Sequence, residues 1–151
     1  MDVRGKIMST PASIAGWRRL KRIIEKWLRP ATGVRGEAAA ARYLQKQGYR
    51  ILKKNWRKGS AEVDLIALSG DGCTLVAVEV KTRICRPDTN SNQYPELRVD
   101  HAKQQRIKQA MNLLAKQIPQ SQSVSIRFDI IGVDIPLDGK IQIRHHAHAY
   151  E

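Results

Sequence analysis

The sequence is poor in cysteine and in aromatic residues, and each shortage excludes a class of protein. Its two cysteines, Cys73 and Cys85, form neither a disulfide framework nor a CxxC motif. Without a secretory signal, we expect them to be reduced thiols in a cytoplasmic protein. Aromatic residues make up only 5% of the chain, which argues against a platform for stacking single-stranded bases. No apolar run reaches the ~18 residues of a membrane span, so we expect no transmembrane segment.

Acidic residues are also scarce, and this shortage points to a class of partner. Asp and Glu number 14 against 27 Lys and Arg, which gives a net charge of +13 and a pI near 10.2. The excess predicts a polyanionic partner, either a nucleic acid or an acidic membrane surface. The length of 151 residues and the 42% hydrophobic content predict a globular domain with a sizeable core.

The middle of the chain predicts a β-hairpin. Residues 61–68 and 74–83 are rich in Val, Ile and Leu, and a Gly-Asp-Gly turn signal lies between them. If Asp71 and Gly72 are the central residues of a type I′ turn, the numbers of paired residues add up to 143. Asp64 then lies opposite Glu79.

This register also places Glu62 opposite Lys81. Because side chains alternate along a strand, these two residues share one face with Asp64 and Glu79. The other face carries Val63, Leu65, Val78 and Val80. Facing carboxylates about 4.5–5.5 Å apart destabilise a sheet unless a cation neutralises them. Mg²⁺ suits Asp64 and Glu79, because it prefers one or two carboxylates with water and phosphate. The alternative is a solvated face on which the acids pair with Lys81 and nearby arginines.

The residues Asp64, Glu79 and Lys81 resemble the PD-(D/E)xK signature of restriction-endonuclease-like nucleases. From about Arg35 to its end, the chain resembles the YraN family of endonuclease-like bacterial proteins, relatives of archaeal Holliday junction resolvases. The blocks that carry this resemblance are Gly36-Glu37, Tyr43-Leu44, Gly48-Tyr49, Asn55-Trp56-Arg57, Glu62-x-Asp64-Leu65-Ile66-Ala67, Val78-Glu79-Val80-Lys81-Thr82-Arg83, Lys103-Gln104, Arg106-Ile107 and Arg127-Phe128-Asp129.

The resemblance implies a metal-dependent nuclease with Mg²⁺ or Mn²⁺ as cofactor. Asp64, Glu79 and the backbone carbonyl of Val80 are the implied ligands. Lys81 is implied to orient the attacking water or to stabilise the developing charge. Either Glu62 or Glu37 is expected to hold a second ion.

The helix predicted over residues 34–47, before Gly48, places Glu37 in its first turn. Two roles stay open for Glu37, either an interaction with the helix dipole worth about 0.3–1 kcal/mol or, by resemblance, an acid beside the metal. A first strand is predicted over residues 49–54, followed by a basic loop over 55–59. Trp56 in this loop is interpreted as a core edge or as a base-stacking residue. Its neighbours Arg57 and Lys58 are candidate nucleic-acid contacts.

Residues 84–95 have no periodicity and predict a loop, either an ordinary surface loop or a flap over the site. Asp100 predicts the N-cap of a helix that ends near Ile118. The basic and polar residues near this helix and the hairpin form a solvated face or contact phosphates. The candidates for phosphate contact are Arg83, Lys103, Gln104 and Arg106. Two further strands are predicted over residues 124–133 and 140–147. The histidines at 145, 146 and 148 lack acidic or cysteine partners nearby, which disfavours a metal site there.

This segment order predicts an α/β, three-layer domain with a mixed, about five-stranded central sheet flanked by helices. The family resemblance makes this domain, residues 32–151, restriction-endonuclease-like. Residues 1–31 are predicted to form a separate basic amphipathic helical extension. The extension is expected to dock on the domain or on a partner through Trp17 and Trp27, while contact with DNA or an anionic membrane surface stays open. The same apolar stripe predicts a homodimer.

The function predicted from these features is metal-dependent hydrolysis of DNA phosphodiester bonds, in branched or recombination-type DNA. The alternative is a non-catalytic nucleic-acid-binding accessory protein that uses the nuclease fold for its basic surface.

Overall fold

A computed structural model describes residues 32–85, 100–118, 124–137 and 139–150 of the chain. The predicted extension over residues 1–31, and the dimer expected from it, lie outside these residues. Most of the loop predicted over residues 84–95 also lies outside them, although Ile84 and Cys85 belong to a strand. These interpretations therefore stay predictions.

The described residues form two helices and five strands. Helix α1 covers residues 32–46. The remaining elements are β1 (Arg50–Lys58), β2 (Ala61–Leu68), β3 (Thr74–Cys85), α2 (His101–Ala115), β4 (Ser125–Pro136) and β5 (Gln142–Tyr150). The strands lie side by side in chain order in one sheet. Neighbouring strands are antiparallel except β3 and β4, which run parallel. The predicted α/β class and the mixed five-stranded sheet are confirmed.

Helix α1 ends at Gly48, as predicted. Gly48 has a φ of 87°, a left-handed conformation that glycine adopts without strain. Its N–H donates to the carbonyl of Gln45, and the N–H of Tyr49 donates to the carbonyl of Leu44. These two bonds form a Schellman motif, which satisfies carbonyls at the end of the helix and turns the chain into β1.

Hydrophobic side chains fill a core on each face of the sheet. On one face, Ala40, Ala41 and Leu44 of α1 pack on residues of β2, β3 and β4. On the other face, Ile107 and Met111 of α2 pack against a second set of strand residues. The predicted apolar stripe of α2 therefore faces the sheet. Trp56 lies at the edge of the second core, as the structural interpretation of this residue expected. None of the described helices is long and apolar enough to cross a membrane.

The register of the β2–β3 hairpin is confirmed, but its turn differs from the prediction. Leu65 pairs with Val78 and Leu68 pairs with Leu75, so the paired numbers add up to 143. A type I′ turn requires a positive φ at both central residues, and of the two only Gly72 has one. The carboxylate of Asp71 instead accepts hydrogen bonds from the Ser69 hydroxyl and from the Cys73 N–H, which hold a longer loop in the same register.

The prediction that side chains alternate regularly along β2 is wrong at Asp64. Val63 packs in the core beneath α2, whereas Leu65 packs in the core beneath α1. In the neighbouring strand, Asn55 lies opposite Asp64 and has a φ of 48°. Asparagine tolerates this left-handed conformation, so β1 bends at Asn55 without ending. The predicted loop over residues 55–59 is therefore wrong, because the strand continues to Lys58 and turns at Gly59 and Ser60.

Candidate active site

The candidate site lies where the pairing of β2 with β3 stops. The last pair in this ladder is Leu65 with Val78. Beyond it, the Val80 N–H donates to Asp64 Oδ2 over 2.7 Å, so a side-chain carboxylate replaces a backbone partner. The N–H and the C=O of a strand residue point to the same side. We therefore infer that the carbonyl of Val80 also faces the gap beside Asp64.

Glu79 points to the α2 face and is 8% exposed. Lys103 of α2 places its Nζ 2.7 Å from both carboxylate oxygens, and Lys81 Nζ lies 2.8 Å from Oε1. Burial acts to raise the pKa of Glu79, but the hydrogen bonds from Lys103 and Lys81 outweigh it and lower that pKa. Glu79 is therefore an anion held by two ammonium groups.

Asp64 is half-buried beside Glu79 and has a different environment. Burial raises the pKa of Asp64 to about 6, the hydrogen bond from Val80 opposes the rise, and the charges of Glu79 and Glu37 add to it. Asp64 forms no ion pair with any residue in the described ranges. The ionised form of Asp64 therefore lacks a positive partner in contact with it.

Glu37 approaches this site from α1. A Cβ atom at Gly36 would lie only 1.8 Å from Thr82 Oγ1, so glycine is needed for α1 to approach β3 this closely. The bend in β1 supplies the second contact, because Asn55 Nδ2 donates to Glu37 Oε2 over 3.0 Å. The structure therefore brings Glu37 near Asp64, as the interpretation of Glu37 as an additional acid requires.

Glu62 does not join the other acids. Its carboxylate pairs with Arg57 over 2.8 Å at the surface, where the two side chains are 50% and 72% exposed. The break in alternation at Asp64 explains this position, because Glu62 and Asp64 no longer share a face. Glu62 is therefore better placed to fix Arg57 than to bind an ion with Asp64.

The predicted nucleic-acid contacts lie in different environments. Lys58 and Arg106 are exposed. Gln104 is half-buried at the start of α2, and Lys103 contacts Glu79. Arg83 donates to both carboxylate oxygens of Asp134 on β4, from 2.6 and 2.9 Å. Lys103 is thus part of the acidic site, and Arg83 belongs to a separate charged cluster.

Sequence reasoning missed two buried charged clusters on β4 and β5. In one, Asp134 accepts hydrogen bonds from Arg83 and Arg144. In the other, Asp129 accepts from Arg127 and lies 2.8 Å from His145 Nε2. The spacing of Arg127 and Asp129 at i and i+2 on one strand was a usable signal, because such residues share a face. No local signal connects Asp134 with its two arginines.

The donor set of the site suits a hard divalent cation. Asp64, Glu79 and the Val80 carbonyl offer oxygen only, which Mg²⁺ and Mn²⁺ prefer. The described residues contain no group of three or more His, Cys, Asp or Glu side chains that could hold a metal. Mg²⁺ does not require one, since it commonly binds one or two carboxylates and keeps several waters. The half-buried carboxylate of Asp64, which has no cationic partner in contact, fits this type of ligand.

Comparison with known proteins identifies the family. Residues 36–133 match the model of the uncharacterised protein family UPF0102. The chain belongs to this family. It is 41% identical over 110 residues to a UPF0102 protein of Syntrophus aciditrophicus, which covers 72% of this chain and 80% of the relative. It is 45% identical over 103 residues to one of Chlorobium chlorochromatii, covering 68% and 74% of the two chains. This membership confirms the family resemblance of the sequence motifs.

A more distant likeness exists among solved structures. The structure of Pyrococcus furiosus SfsA in complex with Ca²⁺ superposes with a TM-score of 0.38 at 17% sequence identity. The match covers 75% of this UPF0102 protein but less than two thirds, 63%, of the SfsA chain.

Proposed function

We propose that this UPF0102 protein is a metal-dependent nuclease that hydrolyses DNA phosphodiester bonds, with branched or recombination-type DNA as the expected substrate. The observation that supports this best is the pair Asp64 and Glu79 at the end of the β2–β3 ladder. Two carboxylates lie beside each other and beside the backbone of Val80, and only Glu79 has cationic partners. Among the described residues, Asp64 has no cation in contact with it, so a bound cation would stabilise its ionised form beside Glu79.

Asp64, Glu79 and the Val80 carbonyl would hold Mg²⁺ or Mn²⁺. When bound, such an ion polarises the phosphate and lowers the pKa of a bound water. Glu37 lies near Asp64 and is held by Asn55, which suits it to hold a second ion or a water. Asp64 has to be ionised to act as a ligand, and burial raises its pKa to about 6, so protons compete with the metal and more metal should be needed for activity as the pH falls below about 6.

Lys81 and Lys103 supply positive charge on the α2 face of the site. Lys81 contacts one oxygen of Glu79, and its side chain is 42% exposed. An ammonium group in this position can stabilise negative charge that develops on the phosphate or can orient a water. Lys103 contacts both oxygens of Glu79. A cation bound by Glu79 would therefore compete with Lys103 for these two oxygens.

The experiment compares cleavage of branched, nicked and linear DNA in Mg²⁺ and in Mn²⁺. The variants are Asp64→Asn, Lys81→Met and, as a matched control on the same hairpin, Asp71→Asn. We expect the wild type and Asp71→Asn to cleave, and the other two to lose at least about 100-fold in rate, or roughly 3 kcal/mol of transition-state stabilisation. Equal cleavage by all four proteins would indicate a contaminant and overturn the proposal.

A second candidate function is non-catalytic nucleic-acid binding. One observation favours it, namely that Lys103 and Lys81 both form ion pairs with Glu79. This function predicts salt-sensitive DNA binding, since phosphate contacts release counterions, and no cleavage by the wild type in either metal.

A further inference from the structure

Strand β1 is an edge of the described sheet, and it is rich in positive charge. Five of its nine residues are basic, and none is acidic. These residues are Arg50, Lys53, Lys54, Arg57 and Lys58, and all five are exposed. The apolar residues Ile51, Leu52 and Trp56 of the same strand pack against the two cores. The exposed surface of β1 is therefore charged and offers no large apolar side chain for contact with a lipid or an apolar partner.

Most of this charge is uncompensated. Arg57 pairs with Glu62, but the other four basic side chains of β1 form no ion pair with a described residue. The opposite edge, β5, differs, because Arg144 is held by Asp134 and His145 by Asp129. Within the described residues, Arg144 and His145 of the β5 edge therefore have acidic partners, whereas four of the five basic side chains of the β1 edge have none.

The basic residues of β1 flank the candidate active site. Lys54 pairs with Leu65 and Trp56 pairs with Val63, so Asn55 lies opposite Asp64 in this register. Asn55 also donates to Glu37. Basic residues precede Asn55 at positions 53 and 54 and follow it at 57 and 58. The span from Lys53 to Lys58 is about 17 Å at ~3.3 Å per residue, which is long enough to reach several successive phosphates of one DNA strand.

We propose that β1 binds the phosphate backbone of DNA along its length and thereby presents one phosphate to the acids beside Asn55. The role of the acids rests on the proposed function, whereas the binding role of β1 does not require cleavage. Basic side chains precede and follow Asn55 on β1, so they attract a polyanion on both sides of the position beside the acids. The other explanation for lysines on an edge strand is that they prevent edge-to-edge pairing of sheets.

The test compares two full-length variants that lose the same charge. One carries Lys53→Gln, Lys54→Gln and Lys58→Gln on β1. The control carries Lys46→Gln, Lys116→Gln and Lys140→Gln, at exposed positions elsewhere on the domain. The dissociation constant for a fluorescent duplex is measured by anisotropy between 50 and 300 mM salt, with EDTA present to prevent cleavage. The logarithm of the association constant falls linearly with the logarithm of the salt concentration, and each lost phosphate contact makes this slope less steep by about 0.9.

We expect the magnitude of this slope to decrease by about 2 to 3 in the β1 variant and by less than about 1 in the control. A variant with Lys53→Arg, Lys54→Arg and Lys58→Arg keeps the charge and should retain the wild-type slope, which separates loss of contact from loss of fold. Equal slopes in the β1 and control variants would overturn the inference. So would unchanged DNA binding together with self-association of the β1 variant in sedimentation, because that result assigns the lysines to edge protection.

The outcome can be separated from the fate of the nuclease proposal. A reduced slope in the β1 variant, with no cleavage by the wild type, leaves the binding role of β1 intact and overturns only the catalytic assignment. If the wild type cleaves DNA and the β1 and control variants have the same slope, the catalytic assignment stands and the binding role of β1 is overturned.

Discussion

The acidic residues of β4 and the acidic residue Asp64 of β2 differ in the partners that surround their carboxylates. On β4, Asp129 is 1% exposed and contacts Arg127 and the His145 ring. Asp134 is 6% exposed and is held by Arg83 and Arg144. On β2, Asp64 is less buried but is held only by a backbone N–H and lies near two other acids. The difference in partners, rather than in burial, separates these acids.

The pKa values show the consequence of this difference. Burial acts to raise the pKa of Asp129 and of Asp134, but hydrogen bonds with their side-chain partners outweigh it and lower the pKa of both. For Asp64, burial outweighs the hydrogen bond from Val80, and the pKa rises to about 6. An acid whose charge is neutralised by neighbours contributes to the stability of the fold. An acid that remains uncompensated lowers that stability and is a stronger candidate for function.

The largest effect should come from the better-buried acid on β4. Asp129→Asn leaves Arg127 and the His145 ring without their anionic partner, and breaking a buried pair by removing one member costs about 3–5 kcal/mol. The free energy of unfolding from urea titration measures this loss. Asp71→Asn is the control, because it lies at an exposed turn and keeps an oxygen that can accept from Ser69 or Cys73, and it should lose much less stability. A loss below about 1 kcal/mol at Asp129 would contradict the structural role.

A somewhat smaller loss, about 3 kcal/mol, is expected for Asp134→Asn, which leaves Arg83 and Arg144 facing each other. A double variant with Arg144→Gln should recover part of it, because it also removes one of the two like charges that Asp134 holds together. The lowered pKa of Asp134 gives the sign of the pH dependence. Its contribution is present above the ordinary value of 3.8 and is lost as the pH falls below it. Additive effects of the two substitutions would show that the cluster is not coupled.

The substitution Asp64→Asn should have the opposite sign and stabilise the protein. The amide keeps an oxygen that accepts from Val80, and it removes a charge whose pKa is raised from 3.8 to about 6. The folded state binds this proton more tightly than the unfolded state, so the ionised acid lowers stability as the pH rises from about 4 to 6. We expect a gain of about 2 kcal/mol at pH 8 in EDTA that vanishes near pH 4. If Asp64→Asn instead lost stability at pH 8, Asp64 would stabilise the fold as the acids of β4 do, and the contrast between β2 and β4 would not hold.

A smaller effect, on metal affinity, is expected from substitution of Lys103, the α2 residue that neutralises Glu79 beside Asp64. Lys103→Met removes the ammonium group that holds both oxygens of Glu79. If Glu79 is a metal ligand, the affinity for Mn²⁺ should rise by roughly tenfold, or about 1.4 kcal/mol. Electron paramagnetic resonance titration without DNA measures this directly. Lys108→Met on the same helix removes one charge away from Glu79 and serves as the control. A weaker affinity in Lys103→Met would mean that Lys103 supports the site.

Short-range features of this fold were predictable from the sequence. The Val, Ile and Leu runs and the Gly-Asp-Gly signal were enough to give the register of the hairpin, because both strands and their turn are contiguous. Gly48 and Asp100 marked helix ends for local reasons, and the Asp100 carboxylate accepts from the Lys103 N–H as an N-cap should. The neighbourhood of Asp64 and Glu79 followed from that register.

Other features depend on details or distances that periodicity does not carry. The alternation along β2 breaks at Asp64, opposite the left-handed Asn55, and no residue of β2 itself signals this break. For the same reason the sequence placed Glu62 with the other acids. Arg83 and Asp134 are 51 residues apart in the chain, and their pairing follows only from the register of β3 with β4. Long-range pairing of charges was therefore beyond a reading of local patterns.

The parallel pairing of β3 with β4 also bears on the order of folding. Strands β1, β2 and β3 are joined by short turns, and the Asp64–Val80 contact spans only 16 residues. The β3–β4 contacts close a loop about three times as long, and the entropy of closing a loop grows with its length. We therefore expect the three-stranded meander to form first and the β3–β4 docking to limit the folding rate. The acidic centre would then assemble early, before the charged clusters of β4 exist, and loss of Asp134 should mainly accelerate unfolding.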